Sequence, residues 1–477
     1  MESKEKEIKE KIIAYEKEHL HEVCQDERRL HFHLMSPVGW LNDPNGLCQF
    51  NGMYHVFFQY SPFDVQGGMK VWGHYSSRDL LKWKYDGVPL VPDMPFDKDG
   101  VYSGSAMVEN DQVHLFYTGN VKNEGNYDYV YEGREGNTIR VSSQDGYIFG
   151  TKKLVLRNGD YPSYYSCHIR DPKIWREYDT FYMVLGGRTR EDVGAVLFYE
   201  SKDLEHWQFR KDITTKDVFG YMWECPDYIL LEGSEFLSCS PQGVASDEYR
   251  YQNIYQSGYF KVEGKLLTQG ELTDFTEWDM GFDFYAPQTF VDEVGRTILI
   301  GWAGIPDATY TNPTIDVGWQ HALTMPRVLT LKNGKIYQNP VEEMKSLREN
   351  RITLTSGECM NFTMDCFEAI ITDIKNHSCE ITIAKGVHLS YEEEVFTLSF
   401  TGNCGSGRTI RKAKINNLNE IRILVDSSLL EIYLNGGEVV FTTRYYKDFA
   451  GNSFYAECEN SNIIVWELRS MEVIFGE

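Results

Sequence analysis

Ser77-Arg78-Asp79-Leu80-Leu81-Lys82-Trp83 returns later in the chain as Ser201-Lys202-Asp203-Leu204-Glu205-His206-Trp207. A degenerate copy reads Ser143-Gln144-Asp145-Gly146-Tyr147-Ile148-Phe149, and a fourth reads Asp274-Phe275-Thr276-Glu277-Trp278. Their aspartates stand 66, 58 and 71 residues apart. Each copy predicts a turn with an aromatic anchor near a strand edge. Ser-x-Asp-Leu is common in turns, but the aromatic that closes each copy argues for repetition. Between the copies the chain runs in short apolar stretches such as Tyr54-His55-Val56-Phe57-Phe58-Gln59-Tyr60, Val113-His114-Leu115-Phe116-Tyr117 and Phe181-Tyr182-Met183-Val184-Leu185. Gly, Pro, Asn and Asp punctuate them, which predicts an all-β domain. Four turns at such spacing, with the first strands left over, predict a β-propeller of about five blades of four strands each.

Outward from the repeat the texture changes at both ends. Residues 3–23 place Ile8, Ile12, Tyr15, Leu20 and Val23 near helical spacing among Lys and Glu, predicting a short amphipathic N-terminal helix laid on the surface of the β domain. After Pro340, Val341-Glu342-Glu343-Met344-Lys345-Ser346-Leu347 predicts one linker helix. Beyond it the pattern is strand-like without the repeat, and Asn435-Gly436-Gly437 between two apolar runs marks a hairpin. The expected division is a helical segment over 1–28, a five-bladed propeller over 29–340, a linker over 341–350 and a C-terminal β-sandwich over 351–477.

Composition narrows the function. The 477 residues carry a formal net charge of -24, the wrong sign for a nucleic-acid or anionic-membrane partner. A phosphorylated substrate would need a local basic pocket. The chain opens on a charged helical pattern rather than an apolar leader, and no apolar run is long enough to span a bilayer, so a cytoplasmic protein is expected. Ten cysteines lie singly with no C-x-x-C pair, which fits a reduced protein without structural zinc. His31-Phe32-His33 has no companion cluster of ligands elsewhere in the chain, so hydrogen-bonding histidines are expected rather than a metal site. No cofactor is implied, and self-association is left open. Asn361-Phe362-Thr363 matches a glycosylation acceptor and is read as chance.

Three carboxylates share one design. Asp43 lies in Gly39-Trp40-Leu41-Asn42-Asp43-Pro44-Asn45-Gly46, directly before a proline. Asp171 lies in His168-Ile169-Arg170-Asp171-Pro172, and Glu224 in Trp223-Glu224-Cys225-Pro226-Asp227. Each acid sits beside a backbone restraint and in a different proposed blade. A propeller gathers equivalent strand ends around one axis, so the three can share a pocket. Glycoside hydrolysis needs that arrangement, with one ionised carboxylate and one protonated acid across the scissile bond. Trp223 is expected to help keep Glu224 protonated, and a polar turn to keep Asp43 ionised. Cys225, with nothing beside it to form a thiolate, is expected to pack or to tune its neighbours.

Trp40-Leu41-Asn42-Asp43-Pro44-Asn45-Gly46, Arg170-Asp171-Pro172 and Glu224-Cys225-Pro226 resemble the three signature motifs of glycoside hydrolase family 32, which holds invertases, sucrose-6-phosphate hydrolases, levanases and inulinases. Phe58-Gln59-Tyr60, Trp72-Gly73-His74, Tyr102-Ser103-Gly104-Ser105-Ala106, Tyr285-Ala286-Pro287-Gln288-Thr289 and Gly301-Trp302 support it. The resemblance implies a five-bladed propeller with a β-sandwich and a retaining displacement on a β-fructofuranoside. Asp43 would be the nucleophile, Glu224 the general acid and base, and Asp171 the transition-state stabiliser with Arg170 beside it. Asn42, Gln59, Trp72, Tyr102, Ser103 and Arg170 would line the fructose pocket, with Asp227 structural. Many relatives carry a Trp-Gly-Pro-Met-His-Trp-Gly-like run where this chain has Gln66-Gly67-Gly68-Met69-Lys70-Val71-Trp72-Gly73. That departure bears on the pocket wall, and so on the leaving group. The expected substrates are sucrose 6-phosphate or sucrose, with short fructooligosaccharides as the alternative within the class. A non-catalytic fructan-binding propeller is the alternative outside it.

Overall fold

The computed structural model describes residues 2–362, 365–374, 378–447 and 452–475; Thr363 of the glycosylation-like triplet lies outside them. The N-terminal helix, Glu2–Val23, buries Ile12 and Val23 against the first sheet, with Ile8 and Tyr15 packed beside them. Its Glu16 accepts hydrogen bonds from the Tyr60 and Tyr85 hydroxyls. No helix among the described residues is long and apolar enough to cross a membrane.

Five largely antiparallel sheets come next, each meandering outward from an inner strand. The inner strands are Gly39–Phe50, Val101–Glu109, Tyr165–Glu177, Met222–Leu231 and Tyr285–Val291. Each packs against the next, and the fifth returns to the first, so the ring closes. The last strand, Glu472–Phe475, comes back to pair in parallel with Lys82–Tyr85 on the outer edge of the first sheet. Residues 348–468 build two six-stranded sheets over a shared apolar core that includes Phe367, Ile381, Leu398, Ile432 and Phe441.

The Ser-x-Asp copies form one turn in three sheets, each time between the third and fourth strands. In the first, Ser77 Oγ accepts the Leu80 N–H, Asp79 Oδ1 accepts those of Leu81 and Lys82, and the Trp83 indole donates to the Leu80 carbonyl. Ser201 and Asp203 repeat these bonds, with Trp207 as anchor. Ser143 and Asp145 do so without the indole. The fourth residue of each copy has positive φ: Leu80 at 62°, Gly146 at 81° and Leu204 at 63°. The fourth copy is not a turn. Asp274 to Glu277 lie within the strand Glu271–Glu277, where alternation, not turn chemistry, places the aromatic.

A better five-fold repeat lies in the inner strands. Each carries a register irregularity: between Leu41 and Pro44, Tyr102 and Gly104, Arg170 and Lys173, Glu224 and Asp227, and Tyr285 and Gln288. Bulges re-aim side chains. Here they turn the same two places of every inner strand to the same end of the ring.

The two parts are joined by buried polar groups. Arg327, fully enclosed, donates to Glu431, Asp279, Gln338 and Thr442. His33 spans Asp426, 2.8 Å away, and Glu431, at 3.0 Å, as a hydrogen-bonding residue; no group of three potential ligands among the described residues could hold a metal. Cys379 and Cys458 are joined by a disulfide with Cα atoms 4.4 Å apart, so the expectation of a wholly reduced cysteine set does not hold.

Candidate active site

At the first bulge place the five inner strands offer Asn42, Tyr102, Arg170, Glu224 and Tyr285; at the second they offer Asp43, Ser103, Asp171, Cys225 and Ala286. Proline comes directly after in four of the five. Asp171, Cys225 and Ala286 take positive φ of 64°, 46° and 45°, a strained choice that the surrounding strands hold in place. Two glycines let neighbouring sheets close on the site. A Cβ on Gly186 would lie 2.1 Å from the Trp223 carbonyl oxygen, and one on Gly136 would lie 2.2 Å from that of Ile169.

Asp43 sits in the bulged strand rather than in a surface turn. One oxygen accepts the Ser103 hydroxyl and the other accepts Asn42 Nδ2 at 3.1 Å. Asn42 is fixed in turn, its Nδ2 donating to Gln59 and its Oδ1 accepting Trp40 Nε1 at 2.8 Å and Lys70 Nζ at 2.9 Å. Burial pushes the Asp43 carboxyl above its ordinary range, while the Ser103 and Asn42 donors pull it back toward the ionised form. Asp171 lies nearby and deeper. Its Oδ2 accepts the Cys225 N–H at 2.9 Å, and the Cys225 thiol lies 3.6 Å from both Asp171 Oδ2 and Asp43 Oδ2. Burial, with Glu224 and Asp43 adding to it, pushes Asp171 up to about 7 although Arg170 opposes the shift. The Cys225 thiol is pushed well above its usual value by burial and then by the three carboxylates, so it is a packing group between them.

Glu224 stands at the open side. Its side chain keeps 15% exposure against 3% for Asp171, which leaves Glu224 facing whatever enters. Oε1 accepts Arg170 Nη2 at 2.7 Å and Nε at 3.0 Å; Oε2 accepts the Tyr285 hydroxyl at 2.6 Å and Gln242 Nε2 at 2.7 Å.

Several sequence expectations are corrected here. Arg170 serves Glu224 more than Asp171, whose nearest oxygen is 4.0 Å away. Trp223 points to the opposite face of its strand, packed on Phe260 with its N–H on the Phe219 carbonyl, so it does not surround Glu224. Trp72 is completely enclosed and gives its indole N–H to the Tyr102 carbonyl. It holds the second inner strand rather than facing a sugar. Gln59 is likewise buried and acts through Asn42. Tyr102 and Ser103 stand at the bulge of the second inner strand, with Ser103 on Asp43. Asp227 accepts the Thr289 N–H and hydroxyl and pairs with Lys173 at 3.0 Å, tying inner strands together. Lys70, from the divergent run, reaches Asn42 and lies 5.2 Å over the Trp40 ring, with burial pushing its amine down to about 8. Sequence reasoning assigned no role to Tyr285 and Gln242. Tyr285-Ala286-Pro287 stands as Glu224-Cys225-Pro226 does, and that parallel was the available signal; Gln242, on the next strand, carries none.

Residues 33–340 match the N-terminal domain of glycosyl hydrolases family 32, and residues 381–468 match the C-terminal domain of the same family. The chain belongs to glycosyl hydrolase family 32. It is 42% identical over 449 residues to a sucrose-6-phosphate hydrolase of Bacillus subtilis, covering 90% of each chain. Among solved structures it is similar to the sucrose-6-phosphate hydrolase from Lactobacillus gasseri, with a TM-score of 0.89 at 27% identity over 96% of this chain and 97% of that one. A family 32 β-fructofuranosidase of Bombyx mori, solved as an Asp-to-Ala variant in complex with sucrose, gives a TM-score of 0.86 at 30% identity over 98% and 99%.

Proposed function

We propose that this family 32 enzyme releases fructose from terminal β-D-fructofuranosides through a covalent fructosyl-enzyme intermediate. It is a glycoside hydrolase acting on sucrose-type fructosides. The observation that carries the mechanistic reading is the convergence of Asp43, Asp171 and Glu224 at equivalent bulges of three inner strands, with different partners for each. Asp43, held by Ser103 and Asn42, attacks the anomeric carbon. Glu224, at the open side, protonates the leaving oxygen and then takes a proton from the incoming water. Asp171 accepts hydrogen bonds from fructose hydroxyls, which strengthen as the ring flattens toward an oxocarbenium ion. Arg170, Gln242 and Tyr285 hold Glu224 in one orientation, and Asn42, Tyr102 and Ser103 border the fructosyl unit.

The same reading treats the five closed sheets as a five-bladed propeller over 29–340, led by a helical segment over 1–28. A linker over 341–350 then joins it to a β-sandwich over 351–477. A cytoplasmic setting goes with this reading, and relatives named for a phosphorylated disaccharide support it. The test is product formation from sucrose, sucrose 6-phosphate, kestose, inulin and levan. Release of fructose from the disaccharides, lost in Asp43→Asn and Glu224→Gln, is expected; fructoside binding with turnover indifferent to both changes would make the protein a lectin instead.

A further inference from the structure

Near Glu224 the chain places one positive charge, Arg134, that no carboxylate among the described residues pairs with. His168, two residues before Arg170, fixes the arrangement. Its Nε2 lies 3.2 Å from the Tyr129 carbonyl, which can only accept, so that nitrogen carries the proton. Its Nδ1 then accepts Arg170 Nη1 at 2.9 Å. Arg170 is thereby fully engaged between His168 and Glu224.

Arg134 is not engaged. Its Nη1 lies 3.4 Å from the same His168 Nε2, which has no lone pair to offer. Its buried Nε has no partner, and no carboxylate among the described residues pairs with it. An unpaired guanidinium beside a second arginine is costly unless an anion joins it. Burial and the Arg170 charge push Arg134 down from its ordinary value, and Tyr102 and Glu224 are close enough to act on it. Arg188, whose charge also reaches His168, stacks 4.5 Å over Tyr221 and pairs with the half-exposed Asp192 at 2.8 Å. The cluster adjoins the acid that protonates the leaving oxygen, in a chain whose net charge is -24.

We propose that Arg134 is the recognition site for a phosphomonoester carried on the leaving sugar. A phosphate there meets a planar fork of free donors suited to paired bonds. His168 is a positioning residue: neutral and committed to Tyr129 and Arg170, it spaces the two guanidiniums without competing for the anion. The inference rests on the β-fructofuranosidase reading above.

The test compares kcat/KM for sucrose 6-phosphate and for sucrose in the wild type, Arg134→Gln and Arg134→Lys, with inhibition by glucose 6-phosphate, glucose and inorganic phosphate. The wild type should prefer the phosphorylated disaccharide. Arg134→Gln should cut that preference ratio by about 10- to 100-fold, the span expected for charge-assisted hydrogen bonds. Its inhibition constant for glucose 6-phosphate should rise in parallel, and Arg134→Lys should fall between. Glucose 6-phosphate should inhibit far better than inorganic phosphate, since the sugar shares the site. Equal losses on both disaccharides would leave the ratio unmoved and overturn the proposal, as would a wild type that treats them alike. A wild type that cleaves neither would instead bring down the underlying reading.

Discussion

Replacing Asp171 with Asn should make the enzyme nearly inactive and, above neutral pH, more stable. Asp171 is 4% exposed, and burial places its carboxyl at about 7 in the fold against 3.8 when unperturbed. The sign comes from linkage. A folded-state value above the unfolded one means the folded state holds the proton longer, so this group's cost to folding is absent at low pH. The cost grows as pH rises through the window from 3.8 to about 7 and then levels off. About three pH units at roughly 1.4 kcal/mol each set a ceiling of about 4 kcal/mol. The step from pH 5 to pH 8 crosses only about two of those units, about 3 kcal/mol at most, and coupling to Glu224, Asp43 and Arg170 shares the effect, so a change of about 1–2 kcal/mol is expected. The amide of the Asp171→Asn variant cannot ionise, and any rotamer cost it carries is independent of pH and cancels between two pH values. Unfolding in urea at pH 5 and pH 8 reads the difference directly. The variant should gain on the wild type between those values, while kcat/KM for sucrose falls on the order of 10²–10³-fold through the lost transition-state contacts. A stability gap identical at both pH values would refute the claim that ionising Asp171 inside this pocket is costly.

Other perturbations separate the remaining parts. Asp43→Asn and Glu224→Gln should each reduce kcat for sucrose by about 10⁴-fold on the scale of lost nucleophiles and proton donors. Azide should rescue the Glu224→Gln variant in part by giving a fructosyl azide of retained configuration, and should do nothing for Asp43→Asn. Arg327→Met should cost about 3–5 kcal/mol in thermal unfolding, because it strands Glu431 and Asp279, both fully buried. A loss below about 1 kcal/mol would show that the joint between the two parts does not depend on that cation. Native Cys225 should resist iodoacetamide at pH 8, being 4% exposed and held as a thiol by burial and its carboxylate neighbours. Rapid labelling with loss of activity would contradict that enclosure.

The sequence carried the strands, the three acids and the turns at Asp79, Asp145 and Asp203, because each rests on local chemistry. Proline beside Asp43, Asp171 and Glu224 reports a backbone restraint that the bulges then realise. What failed was long range. Arg170 was paired with its chain neighbour, yet its fork meets Glu224, 54 residues on, because the third and fourth inner strands lie side by side. Trp223 is adjacent to Glu224 in the chain and on the other face of the strand, as strand alternation requires. The Asp274 copy had the right letters within a strand, where no turn uses them. Tyr285 was visible in principle, since Tyr285-Ala286-Pro287 repeats the place of Glu224-Cys225-Pro226. Arg134 was not visible at all: only the register against His168 shows a guanidinium left without a partner.

The most direct test of the retaining mechanism is the stereochemistry of transfer to methanol. Sucrose cleaved in buffer containing methanol should yield methyl β-D-fructofuranoside, because attack by Asp43 and then by the alcohol inverts the anomeric carbon twice. The α anomer would contradict a covalent intermediate on Asp43 and would require a single displacement across the same pocket.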